Sequence, residues 1–266
     1  MIANFHTHSV FCDGKNTPED IILSAIEKGF SAIGFSGHGY TDFDLRYCMK
    51  DSNGYIAEIN RLKEKYKKEI QVYLGIEEDA FSPVDRTKFD YIIGSSHYFH
   101  INNQYHPIDS NYDYFKKCLE VFNYDIIRLS EVYYSFFCSY INFRKPDIIG
   151  HFDLITKFDE LDSSLFLHNP EYNRIAEKYI TEAAKSESIF EINTGAIARG
   201  LRTAVYPNEN LLYVLKKLNA RLILSSDSHN VDTLNFGFDE AKKQLRDIGF
   251  THLFTMYNGE FVKYDI

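Results

Sequence analysis

The regular alternation of short apolar runs with amphipathic segments is the feature that most constrains how this chain folds. Eight runs rich in β-branched and aromatic residues predict strands, and the segments between them carry helical periodicity. The predicted strands are 2–5, 32–35, 72–76, 91–93, 147–149, 189–192, 222–224 and 253–256, and the principal predicted helices are 17–28, 52–68, 169–186, 208–218 and 233–248. Apolar strands joined by helices predict a parallel sheet covered on both faces, closed into a barrel or open and doubly wound. A length of 266 residues suits the barrel, which we favour.

Two segments depart from this rhythm. Residues 98–145 contain a polar loop and then an aromatic-rich stretch long enough for two helices, which predicts a helical insertion over the barrel mouth. Near the end of the chain, Asn258 and Gly259 lie between β-rich flanks and predict an antiparallel hairpin. Because no Gly/Ser-rich or Pro-rich linker divides the sequence, we predict a single domain, 1–266.

Composition narrows the class of protein. Acidic side chains outnumber basic ones by 38 to 29, so the net field disfavours binding to long nucleic acids. The four cysteines form no Cys-x-x-Cys pair and no secretory leader precedes them, which indicates a reduced, cytoplasmic compartment. No apolar run approaches the roughly 20 residues of a membrane helix. We expect a soluble cytoplasmic protein, monomeric or homodimeric, without a membrane partner.

Polar side chains follow seven of the predicted strands at their carboxyl ends. In parallel α/β folds these ends meet at one mouth, so residues distant in sequence become neighbours there. Residues two apart in a strand point the same way, so the histidines of "HTH" can address one metal ion, as can Asp and His in "DSH". The strand-end residues are His6, His8, His38, Glu77, Glu78, Asp79, His97, His151, Asn193, Asp227 and His229.

A single histidine at a strand end is more often a hydrogen-bonded structural residue than a metal ligand. Many imidazoles and carboxylates in one mouth, however, repel one another and lose hydration unless cations neutralise them. Imidazole with carboxylate suits Zn, Mn or Fe, and the candidates exceed the four ligands of one tetrahedral ion. We therefore predict two to three divalent transition metal ions. Cys12 is a further candidate ligand, but a small buried apolar role suits it better.

Six motifs, "HTHS", "GFSGHG", "GIEED", "GSSH", "IIGHFDL" and "SSDSH", resemble in this order those of the polymerase and histidinol phosphatase (PHP) family. The resemblance runs from residue 4 to about residue 230 and implies a distorted (βα)₇ TIM-like barrel with a trinuclear metal centre at its C-terminal mouth. In many members the position of Asp13 is a histidine, so this sequence departs from the pattern there. The resemblance assigns His6, His8, Glu77 and Asp227 to one ion, Glu77, His97 and His151 to a second, and Asp13, His38 and His229 to a third.

Within the family, "IIGHFDLITKF" and "EINTGAIARGLRTAVYPNENLL" most resemble the monofunctional histidinol-phosphate phosphatases. This implies hydrolysis of a small phosphorylated substrate, histidinol phosphate, in histidine biosynthesis. Two close cations acidify a shared water, so the expected nucleophile is a metal-bridging hydroxide. Two alternatives stay open: a phosphoesterase or exonuclease acting on nucleotides or short oligonucleotides, and a metal-binding module without the reaction. The candidate catalytic residues are Glu77, Asp227, His229 and Asp153.

Other residues near the predicted mouth are candidates for substrate contacts. Arginine matches the geometry of phosphate, and Arg199 and Arg202 follow the sixth strand; their spacing indicates that one of the two, not both, contacts the phosphate. Asp153 is either a general acid or a residue that orients a ligand, and the second role fits better. Glu77 is preferred over Glu78 as the bridging ligand because strand alternation turns Glu78 away. The candidate contacts to the substrate, including its amino alcohol, are Arg199, Arg202, His100, Asp42, Asp44, Tyr40 and Tyr47.

Overall fold

A computed structural model describes residues 2–161 and 165–266 and contains all eight predicted strands. The strands are β1 (Ala3–Asn4), β2 (Ala32–Phe35), β3 (Gln71–Asp79), β4 (Tyr91–Ser95), β5 (Tyr98–Ile101), β6 (Gln104–Pro107), β7 (Ile148–Ile149), β8 (Ile189–Asn193), β9 (Leu222–Ser225), β10 (His252–Tyr257) and β11 (Glu260–Asp265). The helices are α1 (Pro18–Glu27), α2 (Ser52–Tyr66), α3 (Tyr112–Val121), α4 (Ile126–Arg144), α5 (Pro170–Ala183), α6 (Gly195–Ala198), α7 (Glu209–Lys217) and α8 (Phe238–Ile248). Of the helices in these ranges, none combines the length and apolar character needed to cross a bilayer.

One sheet carries the fold, in the order β1-β2-β3-β4-β7-β8-β9-β10-β11. Every neighbouring pair is parallel except the terminal hairpin of β10 and β11, which Asn258 and Gly259 connect as predicted. Strands β1 and β9, whose pairing would close the barrel, are not hydrogen-bonded neighbours over the residues that the structure describes. Just beyond them, Ser228 donates to the His6 carbonyl and accepts from the His8 N–H. The predicted TIM-like α/β architecture is confirmed, although strand pairing leaves the barrel incompletely closed.

Side-chain alternation on each strand separates an inner stack from an outer layer. On β3, Val72, Leu74 and Ile76 join the outer core with α1 and α2, whereas Tyr73 faces inward. Tyr91 of β4 also lies inside. A Cβ on Gly34 would come to 2.4 Å from its hydroxyl oxygen, and a Cβ on Gly75 would come to 2.2 Å from its ring. Glycine at these two positions therefore makes room for an aromatic floor beneath the mouth.

Helix starts follow the capping signals in the sequence. Thr17 and Asp20 form a reciprocal capping box before α1, with Pro18 at its first position. Asn169 and Asn208 cap α5 and α7 by accepting from backbone N–H groups of the first turn. These caps fix where each crossover helix begins and so hold the strand ends that carry the polar residues.

The segment 98–145 has two parts with different roles. The sequence predicted a polar loop at its start, but the structure has the hairpin β5–β6 there. The turn residues of this hairpin, Asn102 and Asn103, both have positive φ. This Asn-Asn pair is a turn signal that the prediction missed. The two predicted helices are present, and α4 packs against α5 as the crossover between β4 and β7. The additions to the basic strand–helix pattern are thus the hairpin and α3.

Candidate metal centre and its cleft

The buried carboxylate of Glu77, near the end of β3, lies at the centre of a ring of imidazoles. Its two oxygens face different histidines. Oε1 lies 3.3 Å from His97 Nε2 and 3.0 Å from His151 Nε2; Oε2 lies 3.3 Å from His6 Nε2, 3.6 Å from His8 Nε2 and 2.8 Å from His38 Nδ1. One carboxylate therefore stands between two groups of imidazoles.

Asp227 approaches the same histidines from just beyond β9. Its Oδ1 lies 3.2 Å from His8 Nε2 and 3.7 Å from His6 Nε2. Its backbone has a φ of 47°, a left-handed conformation that aspartate adopts more readily than most residues. Arg199 donates to Asp227 Oδ2 at 3.0 Å and to its carbonyl at 3.2 Å, which leaves Oδ1 directed at the imidazoles.

The ligands predicted for a third ion also meet. Asp13 Oδ2 lies 3.4 Å from His229 Nε2 and 3.7 Å from His38 Nε2, while Asp13 Oδ1 lies 3.6 Å from His8 Nδ1. Asp13 is the position where this sequence departs from the histidine of many family members. The structure places its carboxylate among the imidazoles with which it is predicted to act.

All nine predicted ligands lie in one cluster, but their groups overlap more than the predicted sets do. His38 faces both Glu77 and Asp13, and His8 faces both Asp227 and Asp13. The assignment of each ligand to an individual ion therefore stays a prediction. The groups whose candidate ligand atoms lie within 4.8 Å of one another are His8, Asp13, His38 and His229; His6, Glu77 and His151; His6, His8 and Asp227; and His38, Glu77 and His97.

The donor set and its unsatisfied atoms fit divalent cations. His6 Nε2, His8 Nε2 and Glu77 Oε2 are buried and have no hydrogen-bond partner among the described residues. Buried polar atoms without partners are costly, and these three point toward one another. Imidazole nitrogen and carboxylate oxygen are ligands that Zn²⁺, Mn²⁺ and Fe²⁺ accept.

The electrostatics of the cluster keep its carboxylates ionised. Burial would raise the pKa of Glu77, but His38, His6 and His97 outweigh it and hold that pKa well below its usual range. Burial also favours a raised pKa for Asp227, and Arg199 and His6 reverse it. Burial, with His229 and His38 nearby, lowers the pKa of His8 to about 3. His8 is therefore neutral near pH 7, the form in which imidazole binds metal.

Two buried carboxylates behind the ligands were not assigned roles from the sequence. Glu191 Oε1 lies 2.6 Å from His6 Nδ1, and Asp79 Oδ2 lies 3.1 Å from His97 Nδ1. Asn193 donates to Glu191 Oε2 and so supports it. The sequence did carry a signal for Glu191, because a charged residue interrupts the apolar run of a predicted central strand in "IFEIN".

Above the cluster lies a cleft of about 360 Å³, a size suited to a small molecule. Lys157, which the sequence did not single out, lines it and binds Asp109 through the backbone carbonyl at 2.7 Å and Oδ2 at 3.1 Å. This pair connects the loop after β7 to the segment after β6. The lining residues besides the metal-ligand candidates are Asp44, Arg46, Tyr47, Tyr98, Pro107, Asp109, Ser110, Leu154, Lys157 and Arg199.

The structure brings some of the predicted substrate contacts to the cleft and leaves others outside. Asp44, Tyr47 and Arg199 line it, whereas Tyr40 and Asp42 are exposed. His100 is also outside, because it lies farther along the hairpin, exposed beside Tyr105 and Phe81.

Arg202 and Asp153 lie behind the cleft and not in its wall. Arg202 is 3% exposed, donates to Thr156 Oγ1 at 2.9 Å and packs over the Tyr206 ring. Asp153 is fully buried and accepts from the backbone and side chain of Asn208, the cap of α7. The geometry therefore opposes the phosphate contact for Arg202 and the general-acid role for Asp153, because neither side chain reaches the open space.

Glu78 is turned away from the cluster, as strand alternation requires. It is fully buried and accepts from Tyr140, from Arg144 at two atoms, and from the Val84 N–H. Its partners belong to α4 and the loop after β3, so its role is to hold α4 and this loop against β3.

The fold and the ligand cluster together place the chain in the class of α/β barrel proteins whose mouth is suited to divalent metal ions. The chain matches the PHP domain model over residues 4–195, and it belongs to that family.

Similar proteins extend the likeness to the whole chain. A probable histidinol-phosphatase of Schizosaccharomyces pombe is 30% identical, with 97% of this chain and 90% of the relative covered. The histidinol-phosphatase of Lactococcus lactis is 26% identical, with 95% and 93% covered. A crystal structure of the histidinol phosphate phosphatase from Lactococcus lactis, complexed with Zn, L-histidinol and phosphate, superposes with a TM-score of 0.74 at 22% identity over 98% of both chains. This structural similarity confirms the fold.

Proposed function

We propose that this protein is a metal-dependent phosphomonoesterase that hydrolyses histidinol phosphate to histidinol and phosphate in the cytoplasm. The observation that carries the proposal is the position of Glu77, shared between two groups of imidazoles at the floor of a small-molecule cleft. The names of its relatives agree with this substrate. The direct test is phosphate release from histidinol phosphate by purified, metal-analysed protein; a metal-loaded protein that releases none contradicts the proposal.

Each group of residues has a distinct task in this mechanism. Divalent ions, when bound, acidify a water and offset the charge of the phosphate oxygens during in-line displacement. The residues that would hold them are His6, His8, Asp13, His38, Glu77, His97, His151, Asp227 and His229. Arg199 and Lys157 supply positive charge from the cleft wall, where charge-assisted bonds to phosphate are strong. Asp44, which pairs with Arg46, and Asp109, which pairs with Lys157, also line the cleft and offer carboxylate oxygens to an ammonium or imidazolium group.

A nucleotide phosphoesterase is the second candidate, because Tyr47 and Tyr98 line the cleft and offer rings on which a base can stack. However, each lysine and arginine in the described lining of the cleft is already paired, Arg46 with Asp44, Lys157 with Asp109 and Arg199 with Asp227. The wall therefore has no excess positive charge for the additional phosphates of a nucleotide bisphosphate or an oligonucleotide. The wall therefore favours a substrate with a single phosphate over one with several.

Arg199→Ala is expected to lower kcat/KM for the phosphomonoester by about 10- to 100-fold, since a hydrogen bond to a charged group contributes roughly 1.5–3 kcal/mol. Steady-state kinetics would measure it at saturating metal. The matched control is Lys178→Ala, which removes a surface cation paired with Glu131 and should leave kcat/KM unchanged. Equal losses in both variants would remove Arg199 from the substrate site.

Metal affinity is expected to fall as pH falls, with the loss beginning above pH 6.5. Burial lowers the pKa of His6 and His97, but Glu191 and Glu77 for His6, and Glu77 and Asp79 for His97, raise both pKa values well above the ordinary 6.5. A raised pKa means that protons compete with metal at a higher pH than at a free imidazole. Zinc content, measured after equilibration at fixed free Zn²⁺ from pH 8.5 to pH 5.5, should decrease; constant zinc content would contradict this.

A further inference from the structure

Glu191 makes contacts to two separate segments that carry metal-ligand candidates. On β8 its side chain points into the barrel and is 1% exposed. Oε1 lies 2.6 Å from His6 Nδ1, while Oε2 accepts from the His151 backbone N–H at 2.9 Å and from Asn193 Nδ2 at 3.0 Å. His6 comes from the end of the first strand and His151 from the segment after β7, so one carboxylate joins opposite parts of the mouth.

We propose that Glu191 is a positioning residue that fixes the tautomer of His6 and the position of His151, and thereby sets the metal affinity of the Glu77-centred groups. The inference rests on the proposed function, because it assumes that the cluster holds metal. It assigns a residue outside the nine candidate ligands to the assembly of the centre.

The hydrogen-bond chemistry determines which nitrogen of His6 is free. A carboxylate oxygen can only accept, so Nδ1 of His6 must carry the proton in this contact. In the neutral ring, the form that binds metal, Nε2 then keeps its lone pair. This nitrogen lies 3.3 Å from Glu77 Oε2 and 3.7 Å from Asp227 Oδ1, inside the cluster. An acceptor behind a metal-binding histidine holds the ring and raises its basicity as a ligand.

A glutamine at position 191 cannot reproduce both sets of bonds. If its oxygen accepts from His6, its amide N–H groups meet the N–H of His151 and the amide donor of Asn193. If its oxygen turns to His151, the amide donates to His6 Nδ1 and leaves the proton on Nε2, where metal must bind. Asn193 is not free to rotate without loss, because its oxygen accepts from the Gly195 N–H at 2.8 Å.

Glu78→Gln is the matched control. Glu78 on β3 and Glu191 on β8 are both buried carboxylates of the same sheet, and both accept several hydrogen bonds. The partners of Glu78, however, lie on α4 and in the loop after β3. If neutralising any buried carboxylate lowers the stability of the protein, the unfolding temperature falls in both variants. An effect specific to the metal centre lowers zinc affinity only in Glu191→Gln.

The experiment measures metal content of wild type, Glu191→Gln and Glu78→Gln at several buffered concentrations of free Zn²⁺, together with the thermal unfolding of each apo protein. We expect Glu191→Gln to need about 10- to 100-fold more free Zn²⁺ for the same occupancy, the usual effect of removing such a support, while Glu78→Gln matches wild type. Equal affinity in wild type and Glu191→Gln would overturn the inference alone. A wild type without bound metal would instead overturn the proposed function.

A second measurement does not depend on the folding of a variant. In the zinc-loaded wild type, ¹⁵N NMR of the assigned His6 ring should show a protonated Nδ1 and a metal-bound Nε2. A proton on Nε2, or metal at Nδ1, would contradict the positioning role of Glu191.

Discussion

Glu77→Gln is expected to abolish measurable phosphatase activity and to lower the metal content of the purified protein. The substitution removes the charge from the group that faces five imidazoles, and an amide offers only one oxygen to the two histidine groups. Loss of a supporting residue alone costs about 10- to 100-fold in metal affinity, and loss of a shared ligand should cost more. Metal analysis and phosphate release on the same sample measure both effects.

Glu78→Gln serves as the neighbouring control for this prediction. Its carboxylate binds Arg144 and Tyr140, so the change should lower stability by about 1–3 kcal/mol without reducing metal content. Urea unfolding would measure the stability. If Glu78→Gln lost metal and Glu77→Gln kept it, the shared ligand would have to be reassigned.

Removal of metal is expected to eliminate activity and to lower the thermal unfolding midpoint by roughly 5–15 °C. The reason is that, without metal, the cluster holds buried nitrogen and oxygen atoms that have no hydrogen-bond partner in the described part of the chain, including His6 Nε2, His8 Nε2 and Glu77 Oε2. Dialysis against a chelator, followed by calorimetry and an activity assay, gives both numbers. Adding back Zn²⁺, Mn²⁺ or Fe²⁺ one at a time should restore the midpoint and identify which ions restore turnover.

The contrary result is also well defined. If chelated protein with less than about one tenth of an ion per chain kept full activity, the ligand cluster would have no part in the reaction. If the midpoint did not move on chelation, the unpartnered atoms would be satisfied in another way, and the fit of the cluster to metal would be wrong.

The strand ends show how far sequence alone predicts such a site. The period of a strand and the shared edge of a parallel sheet were enough to place His6, His8, Glu77 and Asp227 near one another. Strand alternation also predicted that the side chains of Glu77 and Glu78 point in opposite directions. The structure agrees, because Glu77 faces the histidines and Glu78 contacts α4. The predictions for His6, His8 and Glu77 held because they depend on regular backbone geometry, whereas Asp227 reaches the cluster from beyond β9 with a left-handed backbone.

Residues on irregular segments were harder to place. Arg202 and His100 were expected near the substrate, but a loop following a short helix buries Arg202, and a hairpin carries His100 outward. Lys157 was missed for the same reason, since no repeating backbone geometry links it to the mouth. Glu191 does lie on a strand, and its charge in an apolar run should have indicated a buried partner.

The most direct test of the account is parallel hydrolysis of histidinol phosphate, a generic aryl phosphate, a 3′,5′-bisphosphonucleotide and a short oligonucleotide by one metal-analysed sample. Arg199 and Lys157 can contact the phosphate, and the carboxylate oxygens of Asp44 and Asp109 can accept from the amino alcohol, so the cleft predicts the highest kcat/KM for histidinol phosphate. Turnover of histidinol phosphate no faster than that of the aryl phosphate, or faster hydrolysis of a nucleotide, would contradict the proposed substrate.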